Sequence, residues 1–186
     1  EGVALLYSDL VGVVKVDIAT GNVTAVATNL SAPVGIALSS DGHSLFVTDG
    51  QYGSGKVVEI NITSGATRMI ASGFLSSPQG CVLSPDGLSL YVAETQQISK
   101  VNISSGQKAA IAFGTAVSNS KGLAWSADGS SLYVVEYQFP GLVLQLTDLP
   151  LPPPLPPDAR APGSPPPELS PPPSFPPLTP PSTPPL

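Results

Sequence analysis

Cysteine and histidine occur once each in these 186 residues, as Cys81 and His43. Internal disulfides, cysteine-based zinc sites and most histidine-dependent catalysis are ruled out by that count alone. Positive charge is also scarce: 7 Lys and Arg stand against 13 Asp and Glu, a formal net charge of -6. No basic patch can gather the phosphate contacts that nucleic acids require, so no nucleic-acid partner is expected. Long apolar runs are missing too. Gly, Ser, Asp or Asn interrupts each one well short of the roughly 20 residues that cross a bilayer, and no membrane span is expected in this chain. The chain opens at Glu1 without Met and without a basic stretch leading into an apolar one, which reads as a mature chain or a fragment.

Proline is scarce in one part of the chain and dense in the other. Residues 1–149 hold 4 prolines and residues 150–186 hold 19, which places a domain boundary near Leu149. Runs such as Ser164-Pro165-Pro166-Pro167 and Ser170-Pro171-Pro172-Pro173 cannot join a helix or a sheet ladder, because proline lacks the N–H and fixes φ near −65°. An extended, disordered polyproline II tail is expected over 150–186, reaching on the order of 110 Å at about 3.1 Å per residue.

The first 149 residues repeat. Pro33-Val34-Gly35-Ile36-Ala37-Leu38-Ser39-Ser40-Asp41-Gly42 runs on into Leu45-Phe46-Val47-Thr48-Asp49, and recurs as Pro78-Gln79-Gly80-Cys81-Val82-Leu83-Ser84-Pro85-Asp86-Gly87 running into Leu90-Tyr91-Val92-Ala93-Glu94. A third copy spans Ser120-Lys121-Gly122 to Leu132-Tyr133-Val134-Val135-Glu136. A second motif keeps the same phase: Val16-Asp17-Ile18-Ala19-Thr20-Gly21, Ile60-Asn61-Ile62-Thr63-Ser64-Gly65 and Val101-Asn102-Ile103-Ser104-Ser105-Gly106. Each copy reads as four short strands. The first is Gly-Ile-Ala-Leu or its relatives, and a Ser-x-Asp-Gly turn follows it. The second is Leu-Tyr-Val or Leu-Phe-Val. The third alternates, as in Val58, Ile60 and Ile62, and a Thr-Ser-Gly or Ser-Ser-Gly turn leads to the fourth. A four-stranded meander every 40 to 45 residues is the signature of a propeller blade.

Pro-x-Gly-Ile-Ala-x-Ser-x-Asp-Gly-x-x-Leu-Tyr-Val-x-Glu resembles the NHL repeat and the related gluconolactonase-like and YVTN-type propellers, across almost all of residues 1–149. The expected fold class is all-β, a partial β-propeller of about three and a half four-stranded blades, with 14 strands counted from Leu5 to Leu146. Rings need at least four blades to close. One reading is a chain lacking blades upstream of Glu1, and the other is an open array that dimerises through its open blade edges.

In such a meander Asp9, Asp49, Glu94 and Glu136 all end second strands, and they should form an arc of carboxylates on one face. An arc of this kind suits a cation such as Ca2+, or a hydroxyl-rich ligand. It equally suits a structural role, each acid accepting hydrogen bonds from the neighbouring loop, and recurrence in every repeat favours that role. Tyr52, Tyr137 and Phe139 lie in or near loops of the same face, where they would either contact a ligand or cover blade ends. The resemblance to lactonases implies metal-ligating acids and amides just before the first-strand glycine. Val34, Gln79 and Lys121 hold those positions, and two of the three cannot ligate. No cofactor and no catalytic residue is assigned. His43 is expected in an exposed turn, Cys81 as a small buried residue, and Trp125 in the core.

Four Asn-x-Ser/Thr sequons mark candidate N-glycosylation at Asn22, Asn29, Asn61 and Asn102. Asn61 and Asn102 are repeat-equivalent, so a shared turn role is the alternative. The tail's Ser-Pro-Pro-Pro and Thr-Pro-Pro runs resemble the hydroxyproline-rich glycoproteins of plant and green-algal walls, which implies an extracellular or cell-wall address. An intracellular linker, or a ligand for SH3-type or WW-type domains, is the alternative. The leading function is a non-catalytic recognition or matrix module that binds a protein or glycan on the propeller face. The others are an incomplete lactonase-type or lyase-type enzyme, and the ectodomain and stalk of a membrane receptor.

Overall fold

A computed structural model describes residues 3–9, 12–50, 53–138, 140–147 and 149. Tyr52, Phe139 and the proline-rich 150–186 lie outside the described residues, as does the side chain of Asp9. Among the described residues fourteen strands form four antiparallel sheets, in the three, four, four, three sequence that the repeat predicts. Blade 1 holds β1 (Val3–Asp9), β2 (Gly12–Asp17) and β3 (Val23–Thr28). Blade 2 holds β4 (Pro33–Leu38), β5 (Ser44–Asp49), β6 (Gly55–Asn61) and β7 (Thr67–Leu75). Blade 3 holds β8 (Cys81–Leu83), β9 (Ser89–Glu94), β10 (Gln97–Asn102) and β11 (Lys108–Phe113). A short 3-10 turn at Thr115–Val117 leads into blade 4, with β12 (Ser120–Trp125), β13 (Leu132–Glu136) and β14 (Leu142–Leu146).

The Ser-x-Asp-Gly turn is built alike in three blades. Asp41 accepts from the His43 amide and the Ser39 hydroxyl, Asp86 from the Leu88 amide and the Ser84 hydroxyl, and Asp128 from the Ser130 amide and the Ser126 hydroxyl. Gly42, Gly87 and Gly129 follow at φ 73°, 72° and 71°, a region where a Cβ is disfavoured. The carboxylate satisfies the amide that the reversal frees, and the glycine supplies the reversal. His43 sits in the first of these turns, exposed.

Alternation along β5 and β9 sends one set of side chains to the preceding blade and the other to the following one. Leu45 and Val47 of β5 join Val58 and Ile60 of β6 in a core against Val13, Ala27 and Leu30 of blade 1. Their neighbour Phe46 faces the other way, into a core with Leu90, Val92 and Val101 of blade 3. Tyr91, the next repeat of Phe46, faces blade 4 in a third core with Leu132 and Val134. Trp125 is half-buried there, its ring edge-on to Tyr91 at 4.9 Å and 85°, and its indole N–H donates across the blades to the Leu83 carbonyl at 2.9 Å.

The first strands of successive blades stand side by side, and glycine lets them meet. A Cβ built on Gly35 would lie 2.4 Å from the Gln79 carbonyl oxygen, and one on Gly80 would lie 2.4 Å from that of Lys121. These two glycines thus occupy matching places on successive sheets, and Gly122 continues the series beside Gly80. The Gly80 amide donates to the Lys121 carbonyl at 2.8 Å, and the Thr48 hydroxyl donates to the Gln79 carbonyl at 2.6 Å.

Cys81 is 8% exposed in the core between blades 2 and 3. Burial pushes its thiol up to about 12, far from the thiolate that reacts with disulfides and alkylating agents. Ellman's reagent at pH 8 should therefore leave the native protein unlabelled over an hour and label one thiol per chain in 6 M guanidinium.

Candidate recognition face

In blades 2, 3 and 4 the loop that enters the blade meets the segment that follows its second strand. Backbone bonds join them: Gly50 donates to Ala32, Thr95 to Ser76 and Tyr137 to Asn119. The arc acids stand at this junction. Asp49 is 0% exposed and accepts from the Ser31 amide at 2.8 Å and the Ala32 amide at 2.6 Å, with the Lys56 ammonium at 3.0 Å. Glu94, also 0% exposed, accepts from the Ser76 amide at 2.7 Å, the Gln97 side chain at 3.1 Å and Lys108 at 2.9 Å. Glu136 accepts from the Asn119 amide at 2.9 Å and from the Ser120 hydroxyl. In each case a buried carboxylate grips the loop arriving from the preceding blade. Burial alone would raise the Asp49 carboxyl, but the Ser31 and Ala32 amides and the Lys56 ammonium outweigh it, and its pKa lies below the usual range.

Tyr137 is 73% exposed, on a loop fixed by the Asn119 side-chain amide donating to the Tyr137 carbonyl at 2.6 Å. Lys121 donates to the Gln79 side-chain oxygen at 3.1 Å, so two of the three positions that precede first-strand glycines bond to each other. The third, Val34, is 50% exposed. Among the described residues no group of three His, Cys, Asp or Glu converges on a common point.

Two sequon asparagines have a turn role. The Asn61 side-chain oxygen accepts from the Thr63 amide at 3.1 Å and the Ser64 amide at 2.9 Å, and Asn102 does the same for Ser104 and Ser105. Asp17 holds the equivalent amides of Ala19 and Thr20, both at 2.9 Å. The position thus demands an acceptor rather than an asparagine. Asn22 and Asn29 are exposed, and Asn29 takes a left-handed φ of 66° that asparagine tolerates.

The lysines that pair with the arc acids carry no repeat signature. Lys56 comes from the third strand of its blade and Lys108 from the fourth, while in blade 4 a serine hydroxyl serves. Only the cross-strand register of Asp49 with Lys56 offered a signal, and only once pairing was known.

The depressed carboxyls set an acid limit. The Ser126 hydroxyl bond, then the Ser130 amide and hydroxyl bonds, hold Asp128 at about 2, and Asp17, Asp41 and Asp49 are also lowered. A depressed folded-state pKa contributes stability that is complete above the unfolded value of about 3.9 and is lost as pH falls through the folded value. Urea midpoints should hold level from pH 7 to about 5 and decline from pH 4 toward 2, with a shallower decline in Asp49→Asn.

By sequence, no family model and no curated protein matches the chain. By structure it is similar to a chain of a nidogen/laminin complex, with TM-score 0.67 and 15% identity over 78% of this chain and 58% of that one. It is also similar to a gluconolactonase from Xanthomonas campestris, with TM-score 0.60 and 19% identity over 73% of this chain and 44% of that one. Calcium-binding regucalcin from Agrobacterium tumefaciens matches with TM-score 0.58 and 19% identity, over 72% and 49% of the two chains. The chain thus spans about half the length of these solved chains. Together with the side-by-side first strands and the glycine contacts between them, these likenesses place the described residues on the plan of a β-propeller.

Proposed function

We propose that the chain is a non-catalytic extracellular recognition module, whose propeller face binds a protein or glycan and whose proline-rich extension, residues 150–186, serves as a spacer at a cell wall or matrix. The observation that carries the non-catalytic part is the fate of the arc acids. Asp49, Glu94 and Glu136 spend their oxygens on loop amides, lysines and hydroxyls inside the fold. They offer no open carboxylate to a cation or a substrate proton. Recognition then falls to exposed groups such as Tyr137. Further support comes from the likeness to the nidogen/laminin chain, a fold of this kind used in a protein complex, and from the exposed sequons at Asn22 and Asn29. The wall-glycoprotein resemblance of the tail supports the address.

Two measurements test this. Intact mass after expression in a plant secretory host should exceed 18.9 kDa through glycosylated tail and sequon residues, and an unmodified mass overturns the address. Thermal melting should be indifferent to millimolar calcium, because an ion bound by the native state alone must raise the midpoint. A rise that disappears in Asp49→Asn overturns the reading of the face.

A further inference from the structure

Strand β3 of blade 1 and strands β6 and β7 of blade 2 border a cleft of about 570 Å³, and Asn29 is among the residues that line it. The cleft mixes two chemistries. Leu30, Val58 and Met69 are apolar, while Thr28, Ser64 and Thr67 bring hydroxyls. Val58 is 6% exposed, whereas Met69, directly opposite it in the ladder, is 55% exposed. In blade 3 the same two places hold Ser99 and Ala110, so the repeat itself does not require a methionine there. Lys56 also lines the cleft but is spent on Asp49, which favours a neutral occupant over an anion.

Asn29 opens the sequon Asn29-Leu30-Ser31. Its backbone is pinned on both sides: Ala27 and Leu30 are buried in the core between blades 1 and 2, and the Ser31 amide donates to Asp49 at 2.8 Å. A sugar attached to Asn29 therefore starts from a fixed point on the cleft wall. The other sequons differ. Asn22 sits between Gly21 and Val23, both exposed, and the Asn61 side chain is engaged in its own turn. Asn102 borders a hollow too, but Asp86 and Lys100 line that one, and charged groups give up water to a neutral sugar only at a cost.

We propose that Asn29 carries an N-linked glycan whose first two N-acetylglucosamine residues seat in this cleft and join blades 1 and 2. The inference rests on the extracellular reading above, since the transfer needs the lipid diphosphate-linked oligosaccharide of a secretory pathway. In that transfer a bond forms between the Asn29 side-chain nitrogen and the anomeric carbon of the sugar. The carbon–oxygen bond to the diphosphate breaks with its electron pair, and the amide gives up one proton. The cleft volume falls within the range of roughly 300–1,000 Å³ that seats small ligands. Its lining matches the occupant: the acetamido methyl and the C–H faces of the rings suit Met69 and Val58, and the sugar hydroxyls suit Thr28, Ser64 and Thr67.

The test uses the full chain secreted from a host that attaches high-mannose glycans, with peptide mass spectrometry reading each site. Asn29 should be occupied. An endoglycosidase that cuts between the two N-acetylglucosamines should trim Asn29 in the native protein about tenfold more slowly than on its proteolytic glycopeptide, as a seat filled about nine-tenths of the time implies. Met69→Asp should abolish that protection, and its urea midpoint checks that the variant folds. The glycosylated chain should also melt about 2–4 °C above Ser31→Ala, which loses the glycan but keeps the amide that Asp49 accepts. Made in bacteria, without glycans, the two should melt alike. Equal trimming of native protein and glycopeptide overturns the proposal, as does full protection in Met69→Asp or a melting gap that is absent or persists without glycans. Asn29 left bare in a chain modified elsewhere overturns it while the extracellular address stands, whereas a chain modified nowhere overturns both.

Discussion

Replacing Glu94 by alanine should lower the unfolding free energy by about 3–5 kcal/mol, the range for breaking a buried charge pair from one side. The carboxylate is fully buried and serves three donors: the Ser76 amide, the Gln97 side chain and the Lys108 ammonium. Truncation strips the incoming loop of its acceptor and leaves Lys108, whose side chain is 15% exposed, without its carboxylate. Urea denaturation followed by Trp125 fluorescence measures the loss. The double variant Glu94→Leu with Lys108→Met should recover much of it, because matched apolar groups remove the desolvation cost of both charges. A loss under about 1 kcal/mol would place the pair with exposed salt bridges instead.

Gly80→Ala should cost about 1–3 kcal/mol or more, the range for forcing atoms into a packed interior. The methyl would stand 2.4 Å from the Lys121 carbonyl oxygen, and backbone on either side must yield. It would also strain the Gly80 amide bond to that same oxygen. Gly122→Ala is the internal control. The same substitution at the same place in the next blade meets only the Val135 side chain, at 3.9 Å, and should be neutral within about 0.5 kcal/mol. Equal losses at the two positions would mean that crowding between blades is not why glycine stands there. The pair of thermal melts separates local backbone preference from blade-to-blade contact, since neither glycine has a positive φ.

Much of this was legible in the residues. The strand count, the Ser-x-Asp-Gly turns and the alternation of core faces follow from motifs that recur in phase, because each blade solves the same packing problem with the same residue types. Cys81 and Ile36 mark the limit of that logic. They occupy one repeat position, yet Cys81 is 8% exposed and Ile36 36%, because Ala37 of β4 packs against the core of Cys81 and what a neighbouring blade contributes is not written in a repeat's own residues. Asp49, Glu94 and Glu136 end their second strands as the repeat implies, but the groups they bond were not foreseeable. A loop amide has no sequence signature, and the paired cations enter from different strands in blades 2 and 3. The Asn61 and Asn102 sequons carried two meanings in the sequence. Asp17, bonded alike in blade 1, gave the position its physical reason.

The carboxylate grip has a direction in time. The acid lies 17 or 18 residues after the loop it holds, as Asp49 after Ser31 and Ala32, Glu94 after Ser76 and Glu136 after Asn119. On the ribosome each loop therefore emerges before its acceptor exists, and it closes only when the second strand of the next blade has been made. A nascent chain paused between a loop and its acid therefore carries that one joint unsealed.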